Sequence, residues 1–312
     1  GPLLLFDKRR YNEAMDDLNV VLTHEPGNAL TLYNRSLIFA QVGDFDSALA
    51  DMDRVININP KNVLAHYNRA AIFSEMGRWE DALEDYNKSI ELYPDFAKAY
   101  LNRSYVENML GRTRESKADY NTAQQKIKEY RERSSEGSFA DTTRRYNSLL
   151  ALDADFAKKD FDNELLQHRD VDIQLQPLYR FGLTSQKENR SVALSRRYEN
   201  ALIDRFIDIA PVPMTISNKA TDGNNSYIFT TKAEEYFAKG LQELQNKQFN
   251  SALNWFDKAV ASADNGSDKD KYASYYKAFY LMNRGVLKAE MIDFIASLEG
   301  EVQTLSMDTE GA

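Results

Sequence analysis

Between residues 29 and 128 apolar and small side chains recur at helical spacing, in blocks closed by Gly or Pro. The blocks also repeat as wholes. "LYNRSLIFAQVGDFDSALADMDRVININP", "HYNRAAIFSEMGRWEDALEDYNKSIELYP" and "YLNRSYVENMLGRTRESKADYNTAQQKIK" set Asn34-Arg35, Asn68-Arg69 and Asn102-Arg103 at intervals of 34 residues. With residue 29 as position 1 of that frame, position 8 is Ser36, Ala70 and Ser104, and position 20 is Ala48, Ala82 and Ser116. Position 15 is Gly43, Gly77 and Gly111; position 17 is Phe45, Trp79 and Thr113; position 24 is Met52, Tyr86 and Tyr120. Position 32 is Pro60, Pro94 and Lys128. Run backwards, the frame puts Tyr11, Ala14, Leu18, Val21 and Pro26 on positions 17, 20, 24, 27 and 32. The chain is therefore expected to open inside a repeat whose first helix is mostly missing.

Each position has a physical role. Small residues at 8 and 20 let two antiparallel helices approach closely. Gly at 15 ends the first helix, because a left-handed residue costs it little. Large apolar residues at 17 and 24 fill the space between helices, and Pro at 32 stops the second helix. This pattern resembles the tetratricopeptide repeat over residues 1–130, as a half repeat plus three repeats. The resemblance implies a mainly α protein, an α–α superhelix of stacked helix pairs with a concave groove. Lys128 in place of Pro predicts that the last helix of this stretch runs on towards Glu132.

Periodicity changes from residue 131 to 232, read as an insertion of mixed helix and short strands that splits the array. "RERSSEGSFADTT" reads as a linker. "RRYNSLLALDADF" fits a short helix with Tyr146, Leu149 and Leu150 on one face. "VDIQLQPLYRF" alternates Val171, Ile173 and Leu175 with polar residues, as a strand does, up to Pro177. "SVALSRRYENALIDRF" spaces Leu194, Tyr198, Leu202 and Phe206 as a helix. "APVPMTISN" is extended, since Pro211 and Pro213 forbid a helix interior. Over 233–300 the helical frame returns as two further helix pairs. Tyr236, Gly240, Phe249, Ala252, Phe256 and Ala259 fall on positions 4, 8, 17, 20, 24 and 27. Ala278, Gly285, Leu287 and Phe294 are assigned to 8, 15, 17 and 24, and residues 301–312 read as a flexible tail.

Arg at position 7 is followed sixteen residues later by Asp. That predicts pairs Arg35–Asp51, Arg69–Asp85 and Arg103–Asp119 between the helices of each hairpin. An exposed pair contributes ~0–1 kcal/mol; partly buried, it fixes register, because loss of one partner strands the other charge. Asp17 falls on the same position in the half repeat. Asn34, Asn68 and Asn102 at position 6 are expected to line the inner wall. An amide offers a donor and an acceptor, which matches one peptide unit. The resemblance to the tetratricopeptide domain of O-linked N-acetylglucosamine transferases implies a ladder along a bound peptide backbone. Bonding of these asparagines to the neighbouring repeat is the alternative. Three bonds at ~0.5–1.5 kcal/mol each fall short of micromolar binding, about 8 kcal/mol, so other anchors are required. Tyr33, Tyr67, Leu37, Leu101, Tyr105, Asn108 and Glu75 are the groove candidates, unless these tyrosines pack between repeats or lie under the insertion.

Composition narrows the function. The 312 residues carry a net charge of −9, which argues against nucleic acid as a partner. There is no Cys, so disulfides, thiolate metal sites and cysteine nucleophiles are excluded. The three His, His24, His66 and His168, are scattered, and His66 occupies a packing position. Asp170 and Asp172 lie on an alternating segment and read as a solvated face. No metal, cofactor or catalytic motif is present, and no apolar run approaches the roughly 20 residues of a membrane span. The opening Gly-Pro reads as a protease-cleavage scar, which leaves the compartment, cytoplasmic or bacterial periplasmic, open. The expected function is a non-catalytic scaffold binding a protein or an extended peptide in its groove. The alternative is a structural subunit of a larger assembly with its groove self-filled, and the remote one an enzyme within the insertion. Homo-oligomerisation through groove tyrosines stays open.

Overall fold

The computed structural model describes residues 5–135, 178–183, 201–217, 228–229, 231–264 and 276–292. Among these, residues 5–35, 178–183 and those from 201 onwards form one compact unit, and residues 36–135 form a second. The protein is mainly α-helical, built of paired helices with a small two-stranded sheet. The strand pattern at 171–175 and the helices read at 144–156 and 190–200 lie outside the described residues.

The second unit contains α3 (Phe45–Ile58), α4 (Val63–Glu75), α5 (Trp79–Leu92), α6 (Ala97–Met109) and α7 (Thr113–Ser135). Each packs on the next in sequence. The apolar stripes face each other: Ala48 and Ile72 share one cluster, and Leu101, Ala123 and Ile127 another. The close approach expected of positions 8 and 20 is visible in hydrogen bonds: Ser36 Oγ donates to Ala48 O at 2.7 Å, and Ser116 Oγ to Ser104 O at 2.6 Å. Gly43, Gly77 and Gly111 each adopt φ between 71° and 83°, the left-handed turn that closes a first helix. Asp44 and Asn62 cap α3 and α4 by accepting from the amides of Ser47 and Ala65. With no Pro to stop it, α7 runs 23 residues.

The first unit contains α1 (Leu5–His24), the start of α2 (Ala29–Gln41), β1 (Arg180–Leu183), α8 (Ala201–Ile209), β2 (Met214–Ser217), α9 (Lys232–Gln245), α10 (Phe249–Asp264) and helix α11 over 276–292. β1 and β2 pair antiparallel, Arg180 opposite Ser217 and Leu183 opposite Met214. β1 also packs on α9. Where the frame of α9 reaches position 15, Lys247 stands in the left-handed region at φ 59°.

α11 corrects the sequence reading. Gly285 was expected to end a helix, yet it lies in the middle of one. A Cβ there would meet Ala14 O and Asp17 Cβ at 3.0 Å, so Gly285 occupies the small position 8, packed on position 20 of α1. "MNRGVLKAEM" is therefore a further first helix in register with "YNRAAIFSEM", and Asn283-Arg284 is a further Asn-Arg pair. Arg284 Nε and Nη2 bind Asp17 at 2.9 and 2.8 Å. α11 thus supplies the first helix to which α1 is the second, with Arg10 Nη1 reaching Met291 Sδ at 3.2 Å.

Lys247→Gly relieves a left-handed residue and is expected to raise stability by about 1 kcal/mol in chemical denaturation. Asp17→Ala removes the carboxylate shared by Arg284 and Lys288, whose Nζ lies 3.2 Å from Asp17, leaving Arg284 only its exposed partner Asp257, and is expected to cost about 3 kcal/mol. Arg284→Met leaves Lys288 to hold Asp17 and costs about half of that in the same assay.

Candidate functional site

Three of the arginines at position 7, Arg69, Arg103 and Arg284, prove to be three-way ties. Arg69 Nε and Nη2 bind the two oxygens of Asp85 at 2.7 and 2.8 Å, while Nη1 reaches Asp53 of the preceding hairpin at 2.9 Å. Arg103 binds both oxygens of Asp119 at 2.7 Å and reaches Asn87 at 3.1 Å. Arg284, besides Asp17, reaches Asp257 of α10 at 3.1 Å. Arg35 Nη1 reaches Asn19 of α1 at 3.0 Å. Asn19, Asp53, Asn87 and Asp257 all occupy position 25 of their frames. The bond to Asp85 raises the Arg69 pKa above its ordinary value. Asp51 is buried. In α9 and α10 the tie is replaced: Lys239 stands over the Trp255 ring, 4.8 Å from its centroid, on the same two frame positions.

Each tied Arg follows an Asn one helical step away, about 100° round the axis. Asn34 donates through Nδ2 to Tyr179 O at 2.8 Å and accepts from Tyr179 N at 3.0 Å. Asn283 accepts from Phe181 N at 2.7 Å and donates to Phe181 O at 3.1 Å. Both main-chain polar groups of two alternate residues are thereby held by two amides. In an extended chain the N–H and C=O of residues i and i+2 point to one edge. Asn34 and Asn283 take that edge, and β2 pairs along the other. Both asparagines are fully buried.

The side chains of the held segment are matched as well. Tyr179 packs edge-on against Tyr33, with ring centroids 5.8 Å apart. Phe181 lies among Phe206, Phe237 and Phe279 at 5.1, 6.4 and 5.7 Å. Between them Arg180 Nε is shared by the two oxygens of Glu290 at 3.1 and 3.2 Å. Phe206 and Phe237 also line a shallow cleft with Ile209, Val212 and Met214.

The remaining candidates fall elsewhere. Asn68 Nδ2 donates to Leu64 O of its own helix, and Asn102 Nδ2 to the Tyr67 hydroxyl at 2.7 Å. Tyr67 stacks on Phe96 at 4.9 Å and meets Tyr86 edge-on at 5.8 Å. Tyr33, Tyr67, Leu37 and Leu101 are at most 1% exposed. Leu101 packs between α6 and α7, and half-buried Tyr105 rests against Trp79. Asn108 and Glu75 are exposed. His66 is a buried packing residue bonded to Pro60 O and Asp85. The sequence reading missed Asn283, Arg284 and Glu290; the repeated "NR" and the unmatched Asp17 were the signals that could have found them.

Arg103 lies near a second acid. Burial, and then the neighbouring Asp119, push Glu107 up to about 8. The folded state therefore holds more protons than the unfolded one between the ordinary carboxylate value and about 8. The stability it contributes is full below the ordinary carboxylate value and declines as pH rises towards 8. Glu107→Gln is expected to remove this decline, read as urea midpoints that differ less between pH 5 and pH 9 than in the parent.

Two family models described as tetratricopeptide repeat match residues 29–62 and 63–96. No curated protein matches the chain. A structure titled MamA AMB-1 is 21% identical, with 35% of this chain and 64% of that one covered and a TM-score of 0.33. This chain thus spans less than two thirds of that relative. A tetratricopeptide repeat protein from Parabacteroides merdae is 16% identical over 88% of this chain and 99% of its own, TM-score 0.31. Yeast Tom70 is 14% identical over 85% of this chain and 48% of its own, TM-score 0.28.

Proposed function

Because the chain is a tetratricopeptide repeat protein, a protein-interaction scaffold, we propose that its first-helix asparagines are stations for extended main chain. We propose further that two of these stations are filled in cis by residues 179–181. In this reading the protein is a non-catalytic structural subunit with a self-occupied inner wall, and partner proteins meet its remaining surface.

What supports this is one observation: Asn34 and Asn283 each engage both main-chain groups of one residue of a single strand. A packing asparagine needs neither the alternate spacing nor the double bond. Tyr33, one of the groove candidates, is closed to solvent with the Tyr179 ring against it, which favours self-occupancy over an open groove. Among the described residues no helix is long and apolar enough to cross a membrane, and no cluster of three metal-ligating side chains occurs.

Amide hydrogen exchange tests the reading one bond at a time. Asn34→Ala should speed exchange at Tyr179 by about 10-fold or more and leave Phe181 protected; Asn283→Ala should do the reverse. Each leaves a buried N–H and C=O unmatched, costing ~1–3 kcal/mol per group. Unprotected Tyr179 and Phe181 amides in the parent chain would refute it.

A further inference from the structure

The amide clamp reads main chain, which carries no sequence information, but it fixes conformation and register. With Tyr179 and Phe181 held on one edge, their side chains must share a face and Arg180 must take the other. Each side chain then enters a different environment. Tyr179 meets the Tyr33 ring, Phe181 enters the phenylalanine cluster, and Arg180, 5% exposed, meets the Glu290 carboxylate. A polar residue at either aromatic station would sit unmatched in an apolar pocket. A carboxylate at the middle station would face Glu290 across about 3 Å.

We propose that this clamp is a sequence-selective receptor for an extended segment of the pattern aromatic–arginine–aromatic. Tyr179-Arg180-Phe181 is its built-in occupant, and a partner protein carrying that pattern competes for the same stations. The proposal rests on the main-chain reading above and adds the side-chain rule. The three polar groups of the clamp lie more than a hundred residues from the segment in sequence, 145 for Asn34, 102 for Asn283 and 110 for Glu290, whereas β2, Phe206 and Phe237 are nearer along the chain. Asn34, Asn283 and Glu290 hold the segment across long stretches of chain, so a segment on another chain can meet the same three groups. The stations divide the work as peptide receptors do: hydrogen bonds to main chain for affinity, pockets for alternate side chains for selectivity.

The test uses the full chain carrying Arg180→Glu and Phe181→Ala, which disables the built-in occupant. A fluorescent peptide of sequence 178–183 should bind this variant at least about 10-fold tighter than it binds the parent, whose stations are filled. The same peptide with Glu in the arginine place should not bind. Adding Glu290→Lys to the variant should reverse that preference. Equal binding of the two peptides, or none to a variant that melts cooperatively, overturns the proposal. If the double variant does not fold, a charge swap without peptide decides. Glu290→Lys should lower the melting temperature, and Arg180→Glu in the same chain should restore it; failure to restore overturns the side-chain rule. Amide exchange separates the two claims. Loss of protection that follows Asn34 and Asn283 while the charge swap fails leaves the main-chain clamp standing and removes only the selectivity.

Discussion

One guanidinium group holds three helices together, and the rest of the architecture follows from that. Arg69 and Arg103 each spend two nitrogens on the Asp sixteen residues later and a third on position 25 of the hairpin before. The first bond fixes the rotation of one helix against its partner; the second fixes one hairpin against the next. Lysine, a single point charge, cannot make both bonds with one planar group. The α9–α10 hairpin shows what stands at these positions when Lys239 replaces the arginine: a contact with the Trp255 ring across the hairpin and an ion pair with Glu235 within its own helix. Because the arginine's direction is fixed, so is that of the residue before it. The asparagine points about 100° away from the arginine's seam, and its amide takes whatever partner that side offers: a strand at Asn34 and Asn283, a helix carbonyl at Asn68, a tyrosine hydroxyl at Asn102.

Much of this was legible in the residues. The interval of 34, the small residues at 8 and 20 and the left-handed glycines at 15 are local in origin, and each reappears in the structure as a cap, a turn or a close approach. What was not legible depends on contacts between distant parts of the chain. A repeat frame cannot be carried through an insertion of unknown length. Gly285 was therefore fitted, with Ala278, Leu287 and Phe294, to a frame in which it fell on position 15, where glycine ends helices. Its actual role is steric, against the Ala14 carbonyl and Asp17. Chemistry would have served better than spacing: a buried Asp17 demands a cation, and "MNRG" supplies one.

The same limit applies to the amides. Sequence placed Asn34, Asn68 and Asn102 in equivalent positions, but equivalence of position is not equivalence of partner. Asn34 meets an extended strand, Asn68 turns back on its own helix, and Asn102 bonds the Tyr67 hydroxyl. Alternation at 171–175 pointed to an extended segment beginning before Pro177. The described strand, Arg180–Leu183, lies after that proline, where each residue keeps its main-chain donor. A proline at 179 or 181 would have left Asn34 or Asn283 without an N–H to accept.

A two-stranded ribbon is marginal by itself in water. β1 and β2 persist because the edge of β1 that would face a third strand faces two asparagines instead. An amide side chain reproduces the donor and acceptor of one strand residue, and two amides at alternate residues reproduce a strand. The helices therefore complete a sheet without contributing a strand to it. This also explains why a buried asparagine, which is costly when unmatched, is retained at the centre of two first helices. Its cost is offset only while an extended main chain lies against it. Scaffold and strand are thus mutually dependent: the arginines orient the amides, and the strand satisfies them.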